Sequence, residues 1–389
     1  MNKTVYILGA GFSKPANAPI QSEIIKEILN LRNEHFGAKD KIIKGYLDQF
    51  EKFLANELYI DRADFKNIAL EDVFTPIDRC IIDGVSFRSF DNKKLVELRE
   101  RIYSLIIIAI KEKLKNSIQH KLYIDKFANY LVGKIRPRMN DKMHDPFSVI
   151  STNWDILLDN SIKKAIETDN NNGVVDYCCY ISSLHDDETI KPGLWALGRG
   201  KYNVKLLKIH GSMNWLNCPK CQRLYLAFYD KIAEYGIYKD KNCSHCSKNF
   251  KENKTISTAL QSNLIMPTFL KDLNNFQIKL IWQNSGVELS EASKIVFIGY
   301  SLPQADYELR QLLSRMIPHD TKIEVVMRDE NEGNSPKESE EIIDSNNEIL
   351  KRYKTFFGKR QVTAHRNGVV KYIENLTESE NVNQSNLLH

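Results

Sequence analysis

Thr4-Val5-Tyr6-Ile7-Leu8-Gly9-Ala10-Gly11-Phe12-Ser13 opens the chain with a strand-sized apolar run that breaks into glycines. The run predicts a buried strand, and the glycines predict a tight turn into a helix. Ile20, Ile24, Ile25, Ile28 and Leu29 then recur with the spacing of one helical face. A strand, a glycine turn and a helix form the first half of a β–α unit, which sets the expectation for everything downstream.

Working outward, the same alternation returns after a long interval. Phe147 to Thr152 reads as a buried strand and Asp155 to Ile162 as a helix start. Val204 to Ile209 is a strand ending at His210-Gly211, and Ile295 to Ile298 is one ending at Gly299-Tyr300-Ser301. Pro303 suits the first turn of a helix carrying Leu309, Leu312, Leu313 and Met316, and Ile323 to Met327 is a further strand. This order predicts an α/β fold: a Rossmann-like parallel sheet with helices on both faces. From about residue 36 to 143 the periodicity is helical instead, as at Phe50, Phe53, Leu54, Leu58 and again at Leu98, Ile102, Leu105, Ile106, Ala109. The expected organisation is a core of residues 1–35 and 144–330, a helical insert at 36–143, a small zinc ribbon at 216–250 within the core, and a C-terminal segment at 331–389. Residues 329–348 are polar and predict a loop, and Glu378 to His389 predict a frayed tail after the closing elements.

Composition narrows the class. The chain has 389 residues, 42% hydrophobic and 27% charged, with 55 basic and 50 acidic side chains for a net charge of +5. These are values of a globular protein large enough for a full core. No dense Lys/Arg block marks a nucleic-acid surface, so direct nucleic-acid binding stays open. No run approaches the roughly 20 apolar residues of a membrane span, and Val5 to Leu8 is too short for a signal peptide. A cytoplasmic, non-membrane location is the expectation. In that setting seven cysteines point away from a disulfide framework.

Four constellations carry chemistry. Gly9, Ala10, Gly11 and Ser13 lie where backbone approaches a pyrophosphate at a helix N-terminus, although Lys14 replaces the third glycine of a full fingerprint. A plain strand–helix turn reads the same way. Thr152-Asn153-Trp154-Asp155 follows a strand at the edge where parallel sheets bind ligands, and Asn153 or Asp155 equally suits a helix cap. His210 ends a strand with Gly211 leaving room for a ligand; it fits a general base or a structural histidine. Cys218-Pro219-Lys220-Cys221 and Cys243-Ser244-His245-Cys246 are two knuckles that can offer four thiolates to a structural zinc. Cys80, Cys178 and Cys179 read as packing residues.

The order of these motifs resembles the sirtuin family across roughly residues 1–330. The family's GAGxS is met by Gly9 to Ser13, its Asn-x-Asp by Asn153 and Asp155, its His-Gly by His210-Gly211, its zinc cysteines by Cys218, Cys221, Cys243 and Cys246, and its Gly-x-Ser-Leu by Gly299, Ser301 and Leu302. The resemblance implies NAD as substrate across the strand ends. Gly9, Gly11, Ser13, Gly299 and Ser301 would meet the phosphates and Asp155 the nicotinamide carboxamide. Asn153 would place the ribose or a water, and His210 would act as base.

Three departures matter. Thr152 replaces the family's glutamine, Ile20-Gln21-Ser22-Glu23 replaces Asp-Phe-Arg, and Asn263 to Lys271 replaces the strand that pairs with an acyl-lysine peptide. With Ile298 to Asp306, these features resemble the bacterial antiphage-defence branch, sirtuin-like NAD hydrolases that release nicotinamide and ADP-ribose. That resemblance implies activation through a homo-oligomer or a partner, among them a HerA-type DNA-translocating ATPase. Two other readings stand beside it: an NAD-dependent protein deacylase or ADP-ribosyltransferase, and a non-catalytic subunit that senses NAD or ADP-ribose.

Overall fold

The computed structural model describes residues 2–115, 121–185, 189–228, 241–249, 258–266, 271, 273–330 and 336–386. Of the sequence expectations, the middle of the zinc-ribbon segment (229–240 and 250), part of the Asn263 to Lys271 stretch (267–270), part of the polar loop (331–335) and the last three residues of the tail lie outside these. Strands β1 (Thr4–Leu8), β2 (Phe147–Ser151), β3 (Gly173–Asp176), β5 (Tyr202–Lys208), β9 (Lys294–Ile298), β10 (Lys322–Val326) and β11 (Val362–His365) form one seven-stranded sheet. Its order is β11-β10-β9-β1-β2-β5-β3, and every pairing is parallel. All five residues of β2 are buried, as are the last four of β1 and of β9. Consecutive burial of that kind requires cover on both faces of the sheet. The α/β architecture expected from the alternation is therefore the one observed.

The helices are α1 (Ala10–Ser13), α2 (Ile24–Asn30), α3 (Asp40–Lys52), α4 (Leu70–Asp83), α5 (Asn92–Leu114), α6 (Leu122–Ile135), α7 (Leu157–Thr168), α8 (Gly193–Leu197), α9 (Ser244–Asn249), α10 (Phe276–Ser290), α11 (Tyr307–Met316), α12 (Pro336–Phe357) and α13 (Gly368–Asn386). A second, four-stranded sheet has the order β4 (Ile181–Ser183), β7 (Leu224–Leu226), β6 (Gly211–Asn217), β8 (Gln261–Leu264).

Packing divides the chain differently from the boundaries at 36 and 143. Helix α6 buries Phe127, Leu131 and Ile135 in the core of the large sheet, not with the other helices of the block. Conversely Ile24, Ile25 and Ile28 of α2 join α3, α4 and α5 in a separate core. Helical periodicity reveals that a face is apolar but not which surface receives it. The C-terminal expectation also needs correction. Residues 336–348 belong to α12, where Ile342, Leu350, Tyr353 and Phe357 form a buried stripe among acidic and basic residues. Beyond Glu378, where fraying was expected, the helix α13 continues to Asn386. Short β11 escaped the sequence reading because it is an edge strand with no buried residue.

Behind the C-terminal ends of β2 and β5 lies a buried ion pair. Lys208 Nζ donates to Asp159 Oδ2 at 3.0 Å and to the Asp155 carbonyl at 2.6 Å, and Tyr177 Oη donates to Asp159 Oδ1 at 2.9 Å. Both charged side chains are at most 3% exposed. Removing one partner strands the other charge in a medium that solvates it poorly. Lys208→Met is expected to destabilise the fold by about 3–5 kcal/mol in urea unfolding; an unchanged midpoint would show the pair to be dispensable.

Candidate active site

The strand register brings the motifs to one edge. Leu8 is level with Ser151 on one side and with Ile298 on the other, and Ser151 is level with Lys208. The loops that follow β9, β1, β2 and β5 therefore leave the sheet side by side, carrying Gly299–Ser301, Gly9–Ser13, Thr152–Asp155 and His210. The chain winds to one side of β1 through β2 and to the other through β9, so this edge is also the switch point where such sheets bind ligands.

The glycine turn is held by backbone contact. Gly9 N–H donates to the Ile298 carbonyl at 3.0 Å and Gly11 N–H to that of Gly299 at 2.9 Å. A Cβ on Gly9 would lie 2.5 Å from the Gly299 oxygen, and one on Gly11 would lie 2.8 Å from it. Gly299 itself has φ +63° and faces the Phe12 nitrogen. These glycines answer first to the approach of two backbones, and the N–H groups of Gly9 and Gly11 are engaged within the chain. Any donors the turn offers a phosphate must come from its other residues.

Ser13, Asn153 and Asp155 form one buried group. Asn153 Nδ2 donates to the Ser13 hydroxyl at 3.2 Å, and the same hydroxyl favours the ionised form of the Asp155 carboxyl. Asn153 Oδ1 is buried with no hydrogen-bond partner. Asp155 also accepts from Leu157 N–H at 3.1 Å, a side-chain turn leading into the helix, whose N-cap position is taken by Ile156 and by neither Asn153 nor Asp155. Burial pushes the Asp155 carboxyl above its ordinary range, with Lys208, the Leu157 N–H and Ser13 opposing. Between the two, Trp154 turns into the core of the helical block and its Nε1 donates to the Ile265 carbonyl at 3.2 Å. Thr152 contributes its hydroxyl and N–H to the Leu8 carbonyl, a stitch to β1. Ala10 and Ser301 lie on the same edge, Ala10 at the start of α1 and Ser301 in the loop after β9.

His210 stands in a second group. Its carbonyl accepts from Ile265 N–H at 2.9 Å, and the preceding Ile209 carbonyl accepts from Trp282 Nε1 at 2.9 Å. Gly211, with φ +72°, makes room for the Asn263 carbonyl of β8, 2.4 Å from where a Cβ would stand. The space beside His210 that the sequence assigned to a ligand is thus occupied by a neighbouring strand. His210 Nε2 lies 3.3 Å from Asp306 Oδ1, and Lys271 Nζ is 2.8 Å from the same oxygen. Burial opposes ionisation of Asp306, but His210 and Lys271 outweigh it and hold the carboxyl well below the usual range. Asp306, Lys271 and Lys208 were not assigned in the sequence reading; each lies next to a quoted motif, but only the tertiary structure reveals the partners.

The four ribbon cysteines meet as expected. Cys218 and Cys221 follow β6, and Cys243 and Cys246 flank the start of α9, with all four sulfurs within 4.8 Å of one another. Sγ–Sγ distances of 3.8 Å (Cys218–Cys246) and 3.6 Å (Cys221–Cys243) match the edge of about 3.8 Å in a tetrahedral zinc tetrathiolate. Four thiolates saturate zinc, so the ion would be structural.

No family model and no curated protein matches the chain. Solved structures similar to it include Sir2Tm bound to a propionylated peptide, at 14% identity, covering 97% of this chain and 93% of that one, with a TM-score of 0.39. A Sir2 homologue mutant in complex with ADP-ribose follows at 10% identity, covering 90% and 93%, with a TM-score of 0.38. A Sir2 complex with an inhibitor, 2′-O-acetyl-ADP-ribose and a deacetylated peptide has 14% identity, covers 97% and 94%, and has a TM-score of 0.36.

Metal analysis is expected to find about one zinc per chain, and Cys218→Ser to lower the melting temperature together with metal content. A metal-free, fully stable protein would contradict the ribbon. The raised Asp155 carboxyl makes a second expectation. Its contribution to stability is present below the unfolded value near 3.8 and is lost as pH rises through the higher folded value. Asp155→Asn should therefore stabilise the fold at neutral pH, with the gain shrinking as pH falls from the raised folded value towards 3.8 and gone below it; a gain that grows in acid would refute the sign.

Proposed function

We propose that this chain binds NAD at the C-terminal edge of β9, β1, β2 and β5 and hydrolyses its nicotinamide–ribose bond. The observation that carries the reading is Asn153 Oδ1, a buried amide oxygen with no hydrogen-bond partner, set beside Ser13 and Asp155 in the loop after β2, whose neighbour β5 leads into His210. A buried acceptor of this kind costs free energy unless a ligand hydroxyl or water satisfies it. The motif order resembling sirtuins supplies the substrate class.

In the reaction the C1′–N bond breaks with its electron pair leaving on neutral nicotinamide, and ribose becomes oxocarbenium-like. Water then adds to C1′ and gives up a proton, forming ADP-ribose. Asn153 Oδ1 would accept a hydrogen bond from the ribose or the attacking water, Asp155 would hold the carboxamide, and His210 would take the proton. Ser13 holds the Asn153 amide through Nδ2 and so leaves its oxygen unpaired. Hydrolysis is favoured over acyl-lysine chemistry by the segment after β8. Both backbone groups of Ile265 are engaged, by His210 and Trp154, and Leu264 and Met266 are buried in the helical core. A peptide adding as a strand needs such groups exposed.

The proposal includes a role in antiphage defence through NAD depletion, with activation by self-association or by a partner such as a HerA-type ATPase. Among the described residues no helix is long and apolar enough to cross a membrane. Purified protein incubated with NAD, alone and with the product of its neighbouring gene, should release nicotinamide. Asn153→Ala and His210→Ala should each lower the rate at least about 100-fold. Turnover that requires an acylated peptide would point to a deacylase, and nucleotide binding without turnover in every assembly would point to a sensing subunit.

A further inference from the structure

His210 is fixed at its backbone on both sides, through Ile265 N–H on its own carbonyl and Trp282 on that of Ile209. Only the torsions of the ring remain to be set. The group facing the ring is Asp306, 1% exposed, in the turn before α11. An aspartate at that position ordinarily caps the helix, accepting from a backbone N–H of the first turn. Asp306 does not: no helix N–H reaches its side chain. Its Oδ2 accepts from Tyr300 Oη at 2.7 Å, and its Oδ1 faces Lys271 at 2.8 Å and His210 Nε2 at 3.3 Å. Lys271 is itself fully buried and held by Glu308 at 3.1 Å, so the carboxylate is clamped from two sides before the imidazole is considered.

We propose that Asp306 is a positioning residue for His210: its carboxylate takes the Nε2–H of the imidazole and leaves Nδ1 as the nitrogen that accepts the proton. The inference rests on His210 acting as base in the proposed NAD reaction. A neutral imidazole carries one N–H and one lone pair, and the partner of the N–H decides which nitrogen is basic. Neither Nε2 nor Asp306 Oδ1 has an aligned hydrogen bond, although they stand 3.3 Å apart and both are buried. A small rotation of the ring aligns Nε2 with the oxygen that Lys271 already faces, and catalytic hydrogen bonds commonly tighten in this way when substrate binds. Lys271 keeps the carboxylate ionised and so keeps it an acceptor. Tyr300 ties the same carboxylate to the Gly299–Ser301 loop, so the orientation of His210 is coupled to the glycine contact on the other side of the site.

The test has two arms. Nitrogen NMR of the wild-type ring, assigned by its loss in His210→Ala, should show the proton on Nε2. A neutral ring protonated only at Nδ1 overturns the inference whatever the protein does with NAD, whereas a protein with the expected ring and no nicotinamide release overturns the functional reading alone. In the kinetic arm, Asp306→Asn should lower kcat at least about tenfold with KM within about threefold, and should add less than about twofold loss in the His210→Ala background. An equal loss in both backgrounds, or a loss confined to KM, overturns it. Should Asp306→Asn fail to fold, the wild-type ring measurement still decides.

Discussion

Everything at the ligand edge depends on two backbones coming closer than side chains permit. The turn after β1 and the loop after β9 meet through Gly9, Gly11 and Gly299, with the Gly11 N–H on the Gly299 carbonyl and no room for a Cβ on any of the three. That contact lies at the switch point of the sheet, where the chain's two windings part. It sets where Ser13 begins, and through Ser13 the orientation of Asn153 and Asp155. It also sets where Tyr300 begins, and through Tyr300 the carboxylate that faces His210. A methyl group at any of these glycines would force the two halves of the site apart.

The buried polar groups divide into two clusters with different electrostatics. Around Ser13, Asn153 and Asp155 the carboxyl is pushed up by burial, and a cation, Lys208, reaches only the backbone carbonyl of Asp155 and the carboxylate of Asp159. Around His210 the carboxyl of Asp306 is pulled down because His210 and Lys271 outweigh burial. Two carboxyls at one sheet edge driven in opposite directions are suited to different chemical tasks.

The helical block is tied to this edge rather than appended to it. Trp154, Ile156, Met213, Leu264 and Met266, all from the site loops or the small sheet, sit in the same core as α2 to α5. Trp154 in particular separates Asn153 from Asp155 and anchors the loop that carries both. A shift of the block would therefore reach the site through packed side chains, which gives a physical route for a signal arriving at the helices.

Much of this was legible in the primary structure. Apolar runs alternating with helical spacing revealed β1, β2, β5, β9 and β10, because strands covered on both faces are dominated by consecutive apolar residues. Glycines, paired cysteines and the Asn-x-Asp and His-Gly dipeptides were legible because each residue type has few alternatives for its chemistry. The half-polar elements were not: β11 and α12 bury only one stripe or none, and the small sheet has short strands and buried polar residues such as Ser212 and Asn214, so their patterns merge with loop composition. Nor could local sequence say what the glycines touch, which helices share a core, or that Asp306 faces His210 from 96 positions away in the chain. Those are relations between segments distant in sequence, and only the tertiary structure decides them, because a side chain's partner is set by where its backbone is carried and not by its neighbours along the chain.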